Sequence, residues 1–77
     1  MEKRRKNLRL RILEMYDKTG DFCDDMGITR VYLNMIITGK SNGSFKFWER
    51  AKSTLKVKDE DMEYIKKIEE LENGKYQ

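Results

Sequence analysis

The 77-residue chain has no proline, no histidine, one cysteine and one tryptophan. Without proline, its helices are free of the strongest breaker. Without histidine, and with Cys23 alone, it lacks the residue types that build zinc sites and Cys–His nucleophile pairs. A lone cysteine makes no internal disulfide, which fits a reducing compartment and a thiol buried as a small apolar group. No apolar run is long enough for a signal peptide or a membrane span. The expectation is a cytoplasmic protein with no membrane partner.

Chemistry is scarce in the same way. There is no nucleophile–base pair, phosphate-cradling glycine loop or cluster of metal-ligating side chains. An enzyme, a cofactor and a small-molecule substrate are therefore not expected. Seventy-seven residues make one small domain. Its burial is modest enough that a partner chain would add usefully to it.

Charge is abundant and uneven. Lys, Arg, Asp and Glu make up 40% of residues with a net charge of +3. Residues 29–58 hold seven bases and a single acid, Glu49, whereas residues 59–77 hold seven acids and three bases. A basic middle beside an acidic end implies one surface for a polyanion and another kept away from it.

Apolar spacing predicts an all-α fold of five helices. Helix 1 is expected over residues 3–17, with Leu8, Ile12, Met15 and Tyr16 on its stripe beside Leu10 and Leu13. Thr19-Gly20 would end it, Gly20 in a left-handed cap. A short helix over 21–26 is followed by Gly27-Ile28. Thr29 would then cap a helix over 30–38 that stops at Gly39. Lys40-Ser41-Asn42-Gly43 reads as a loop. Ser44 would cap a helix over 45–55, with Trp48, Ala51 and Leu55 inward. A last helix is expected over 60–71, with Met62, Ile65 and Ile68 inward and Tyr64 and Leu71 beside them. No alternating stretch marks a strand, and residues 73–77 read as a frayed tail.

Residues 19–38 stand out as a unit. Phe22, Cys23 and Met26 precede the glycine. Ile28, Leu33 and Ile36 follow it, so the two sets can pack as one small core between crossed helices. Gly27 suits the sharp corner because glycine takes positive φ at little cost. A short helix, a glycine turn and a second helix make the helix-turn-helix pattern.

The stretch FCDDMGITRVYLNMIITGKSNGS, residues 22–44, resembles the DNA-binding core of the Cro and phage-repressor (XRE-type) helix-turn-helix family. Cys23, Gly27, Ile28 and Thr29 match that family's small residue, glycine and following pair. Leu33 and Ile36 match its buried recognition-helix positions, and Gly39 to Ser44 match its polar loop. The resemblance covers about residues 8–65. The chain departs from the pattern in carrying Thr19 and Gly20 where glutamine is frequent, Lys56 where glycine is common, and no loop proline. The resemblance implies a lambda-repressor-like domain that binds double-stranded DNA as a transcriptional regulator, with homodimers on paired half-sites.

With Leu33 and Ile36 inward, Arg30, Val31, Asn34, Met35 and Thr38 face outward as the candidates for base readout. Arginine reads guanine O6/N7, asparagine reads adenine N6/N7, and an apolar side chain meets the thymine methyl. The competing reading for Val31 and Met35 is partial core packing. Candidates for the DNA backbone are Thr19, Thr29 and Tyr32, then Lys40, Ser41 and Asn42 in the loop, then Ser44 and Lys46 at a helix N-terminus that favours an anion. Lys3-Arg4-Arg5-Lys6 reads either as an arm along the DNA or as a solvated end. A helix-turn-helix module turned to protein–protein interaction is the alternative.

Overall fold

The computed structural model describes residues 2–71. In chain order it consists of β1 (Glu2–Arg4), α1 (Lys6–Met15), α2 (Thr19–Met26), α3 (Arg30–Ile37), α4 (Phe45–Thr54), a 3-10 turn (Asp59–Asp61), α5 (Met62–Lys66) and β2 (Glu69–Leu71). The chain is mostly helical with five helices, as its periodicity predicts. Its tail at 73–77 lies outside the described residues.

The helices enclose one core. Leu8 and Ile12 of α1 meet Phe22, Cys23 and Met26 of α2, Leu33, Ile36 and Ile37 of α3, and Phe47, Trp48 and Ala51 of α4. Leu55, Met62 and Ile65 close it from the C-terminal side. Each fully buried large aliphatic or aromatic side chain contributes about 1.5–3 kcal/mol. Phe22 has no exposed surface, and its truncation to alanine should cost about 3–5 kcal/mol. Two polar side chains of α1 hold its neighbours. The Asn7 side-chain amide donates to the Tyr64 carbonyl at 3.1 Å. Arg11 donates through Nε and Nη2 to the Leu55 carbonyl at 3.1 and 2.8 Å, satisfying a carbonyl at the end of α4.

The corner between α2 and α3 forms as predicted. Gly27 sits at φ 69°, ψ 34°, the left-handed region that glycine enters without penalty. The Ile28 N–H donates back to the Cys23 carbonyl at 3.0 Å, a helix-ending bond of Schellman type. Thr29 then caps α3, its Oγ1 accepting from the Tyr32 N–H at 3.0 Å. Ser44 caps α4 in the same way, accepting from the Phe47 N–H at 3.0 Å. Neither α3 nor α4 has an acid in its first turn, so these caps supply the compensation there.

Four expectations are corrected. First, the chain is not purely helical. β1 pairs antiparallel with β2 in the register Glu2–Leu71, Lys3–Glu70, Arg4–Glu69. Arg4 thus stands opposite Glu69, an opposite-charge pair that favours the ladder. Second, the final helix ends at Lys66 and its expected last turns are β2. Met62 and Ile65 are buried, but Tyr64 is 63% and Ile68 37% exposed. Third, helix 1 begins only at Lys6, because residues 2–4 are in the ribbon. Its Leu10, Leu13 and Met15 lie at the surface. Fourth, Thr19 and Gly20 do not end helix 1. They are the first residues of α2, and Gly20 is helical and buried.

Candidate nucleic-acid interface

The ribbon stands over the end of α3. A Cβ built on Gly39 would lie 3.6 Å from Ile68 and 3.9 Å from the Lys3 carbonyl. Residues 2–4 are thus ordered in a strand, while the side chains of Lys3 and Lys6 are exposed. Arg5, the residue that links β1 to α1, is only 5% exposed. Its backbone N–H donates to the Ile37 carbonyl at 2.6 Å. Its guanidinium donates to the carbonyls of Ile36 at 2.6 Å, Ser41 at 2.9 Å and Lys66 at 3.0 Å. Burial pushes the guanidinium below its ordinary pKa, but arginine starts so high that it stays a cation. Among the described residues this is the polar side chain with the most structural reach, and sequence reasoning missed it.

The outer face of α3 carries the candidates for base readout. Arg30, Val31, Asn34 and Met35 are all exposed, with Val31 at 72% and Met35 at 40%. Arg30 does not simply point outward. Its guanidinium folds over the first turn of α2, against Gly20. Thr19, Cys23, Arg30, Val31, Leu33 and Asn34 line a shallow groove of about 340 Å³ between α2 and α3. Thr38 is the C-cap of α3, and its hydroxyl donates to the Asn34 carbonyl at 2.8 Å.

Four of the candidates for backbone contact have side chains in internal bonds, Thr29 and Ser44 as helix caps and Tyr32 and Ser41 elsewhere. The Tyr32 hydroxyl accepts from the Ser44 N–H at 3.2 Å, and its ring meets Phe47 edge-on at 5.8 Å. Tyr32 thereby joins α3 to the start of α4. The Ser41 hydroxyl accepts from the Gly43 N–H at 3.2 Å, and the Ser41 N–H donates to the Met35 carbonyl at 3.0 Å. The Asn42 carbonyl accepts from the Trp48 indole at 2.8 Å, while Lys40, Asn42, Ser44 and Lys46 are exposed at the surface. Lys46 is in the first turn of α4, where a cation opposes the helix dipole and an added anion would relieve it. Thr19 begins α2 and Thr29 caps α3, so each stands at the positive end of a helix.

Arg5 offered no periodicity or motif to mark it. In the sequence it is one base in a run of four, and only its own burial in the fold distinguishes it. Cys23 is buried, and desolvation raises its thiol pKa, with the Arg30 charge opposing the shift. A thiol held protonated is neither a nucleophile nor a metal ligand. No group of His, Cys, Asp and Glu among the described residues can hold a metal ion. No helix among them is long and apolar enough to cross a membrane. No known family model, curated protein or solved structure matches this chain.

Proposed function

We propose that this chain is a sequence-specific binder of double-stranded DNA, a transcriptional regulator of the Cro and phage-repressor helix-turn-helix type. α3 serves as the recognition helix. Arg30 and Asn34 read base edges, with Val31, Met35 and Thr38 beside them. Lys40, Ser41, Asn42, Ser44 and Lys46, with Thr19, Thr29 and Tyr32, meet the phosphates. The protein works in the cytoplasm as a homodimer on paired half-sites. Exposed Leu10 and Tyr64 on the groove between α1 and α5 offer apolar surface for a second copy.

One observation carries this reading. α3 presents Arg30 and Asn34 on an exposed face, while the loop that follows it is tied down by internal hydrogen bonds. A fixed offset between base-reading side chains and backbone-contacting groups is what groove recognition needs.

The test is selection from a random duplex pool at fixed salt, with wild type and with Arg30→Ala plus Asn34→Ala. Wild type enriches one motif, and the double variant loses it. A wild type that enriches nothing sinks the reading, and a motif indifferent to the double variant sinks the residue assignment.

The alternative is an interface for another protein. It is favoured by the apolar share of the same surface, where Val31 is 72% and Phe45 81% exposed. Under that reading, DNA affinity would be weak, nonspecific and indifferent to Arg30 and Asn34.

A further inference from the structure

We infer that Arg5 is a positioning residue for DNA binding: it sets the loop at 38–43 at a fixed offset from the recognition face of α3. The inference rests on the DNA-binding reading above and names a residue outside the face that reading invokes.

The geometry is specific. One guanidinium, with its own backbone N–H, gathers three separate segments. Ile36 and Ile37 are the last buried residues of α3, Ser41 is in the loop, and Lys66 ends α5. The Arg5 Cζ also lies 5.5 Å from the centre of the Trp48 ring. The Trp48 indole in turn holds the Asn42 carbonyl at 2.8 Å. Two successive loop carbonyls, those of Ser41 and Asn42, are thus held by one pair of neighbouring side chains.

The chemistry suits this task better than mere adhesion. Every hydrogen-bond acceptor named for Arg5 is a backbone carbonyl, and none is a carboxylate. Burying a cation among neutral carbonyls is a costly way to add stability. Two features offset that cost. The carbonyls of Ile36 and Ile37 lie at the negative end of the α3 dipole. The guanidinium's fixed fork also sends donors in several directions at once, which the compact lysine ammonium cannot match. A loop already ordered before contact loses less conformational freedom on binding, so its phosphate contacts translate more fully into affinity.

The test uses Arg5→Lys, which keeps the charge and loses the fork. Affinity for the duplex selected by wild type is measured against salt, at a temperature where circular dichroism shows both proteins folded. Arg5→Lys is expected to bind about tenfold more weakly. Its slope of log K against log salt should be shallower by about 0.9, the loss of one phosphate contact. Base preferences at each position should stay those of wild type. A purely structural role would leave affinity and slope of the folded variant unchanged, and that result overturns the inference.

If Arg5→Lys does not fold, amide exchange on wild type decides. The Ser41 and Gly43 amides should be protected in the free protein and gain little when the duplex is added. Amides that become protected only on binding overturn the inference. A wild type that selects no duplex defeats the DNA-binding reading itself and takes this inference with it. A wild type that selects one, with an unaltered Arg5→Lys, defeats this inference alone.

Discussion

The Arg30 guanidinium rests on Gly20, so close that a Cβ there would lie 2.8 Å from Nη2 and 2.9 Å from Nε. Glycine at this helical, buried position makes room for a side chain. Gly20→Ala would meet only the far end of a flexible arginine, which can swing away. The substitution also removes a helical glycine, worth roughly 0.5–1 kcal/mol in a helix interior and less in a first turn. We therefore expect thermal stability within about 1 kcal/mol of wild type. On the proposed DNA-binding role, the displaced guanidinium should relax base preference at the position assigned to Arg30. Thermal melts and duplex selection check the two halves separately.

Lys40 and Lys46 should act as phosphate contacts and carry no sequence information. Replacing either with alanine should weaken binding evenly across duplexes and lower the salt slope by about 0.9. Both side chains are exposed, so thermal stability should stay within about 0.5 kcal/mol. Titrations of two unrelated duplexes at several salt concentrations read the effect. A change confined to one base position would count against the assignment.

Lys56 is the one non-glycine residue among the described residues with positive φ, at 54°. It follows the C-cap of α4, where the Val57 N–H donates to the Lys52 carbonyl at 3.0 Å and the Lys56 N–H to the Ser53 carbonyl at 3.3 Å. This is the Schellman pattern that glycine suits best. A left-handed conformation costs a residue with a Cβ about 1–2 kcal/mol, partly offset by the larger entropy that glycine loses on folding. Lys56→Gly should stabilise the protein by about 0.5–1 kcal/mol, and chemical denaturation measures it.

Stability should fall in mild alkali. The Tyr16 hydroxyl donates to Asp25 Oδ2 at 2.7 Å. That bond raises the phenol pKa, with smaller contributions from burial and from the Asp25 charge. Burial raises the Cys23 thiol pKa as well. Each group is more readily protonated folded than unfolded. Its contribution is full below the unfolded pKa, about 8.5 for a thiol and about 10 for a phenol, and is lost as pH rises through the folded value. Melting temperature should begin to drop near about pH 8.5 and go on dropping above about pH 10. The drop should shrink in a Tyr16→Phe, Cys23→Ala double variant.

The α2–α3 corner was legible because its signals are local. Gly27 turns the chain, Thr29 caps the next helix, and Leu33 and Ile36 recur at helical spacing, all within fourteen residues of Cys23. The ribbon was not legible because its partners are far apart in sequence and its strands are three residues each. The C-terminal run EYIKKIEEL is made largely of good helix formers. Pairing with β1 overrides that preference after Lys66. Thr19-Gly20 reads locally as a stop. Only the docking of Arg30 against Gly20, ten residues later, gives the glycine its role. The outward set on α3 followed from which residues are inward, but the fold of Arg30 back onto α2 did not.

Trp48 has two cations over its ring, the Arg5 guanidinium carbon at 5.5 Å and the Lys66 ammonium at 5.6 Å, and its indole N–H is on the Asn42 carbonyl. It is also the chain's single tryptophan. Its emission therefore comes from one electrostatic environment, set by the same groups that order the loop. The protein carries its own fluorophore where the N-terminal strand, the loop and the end of α5 meet. Light from that one ring reports the junction directly, with no label attached.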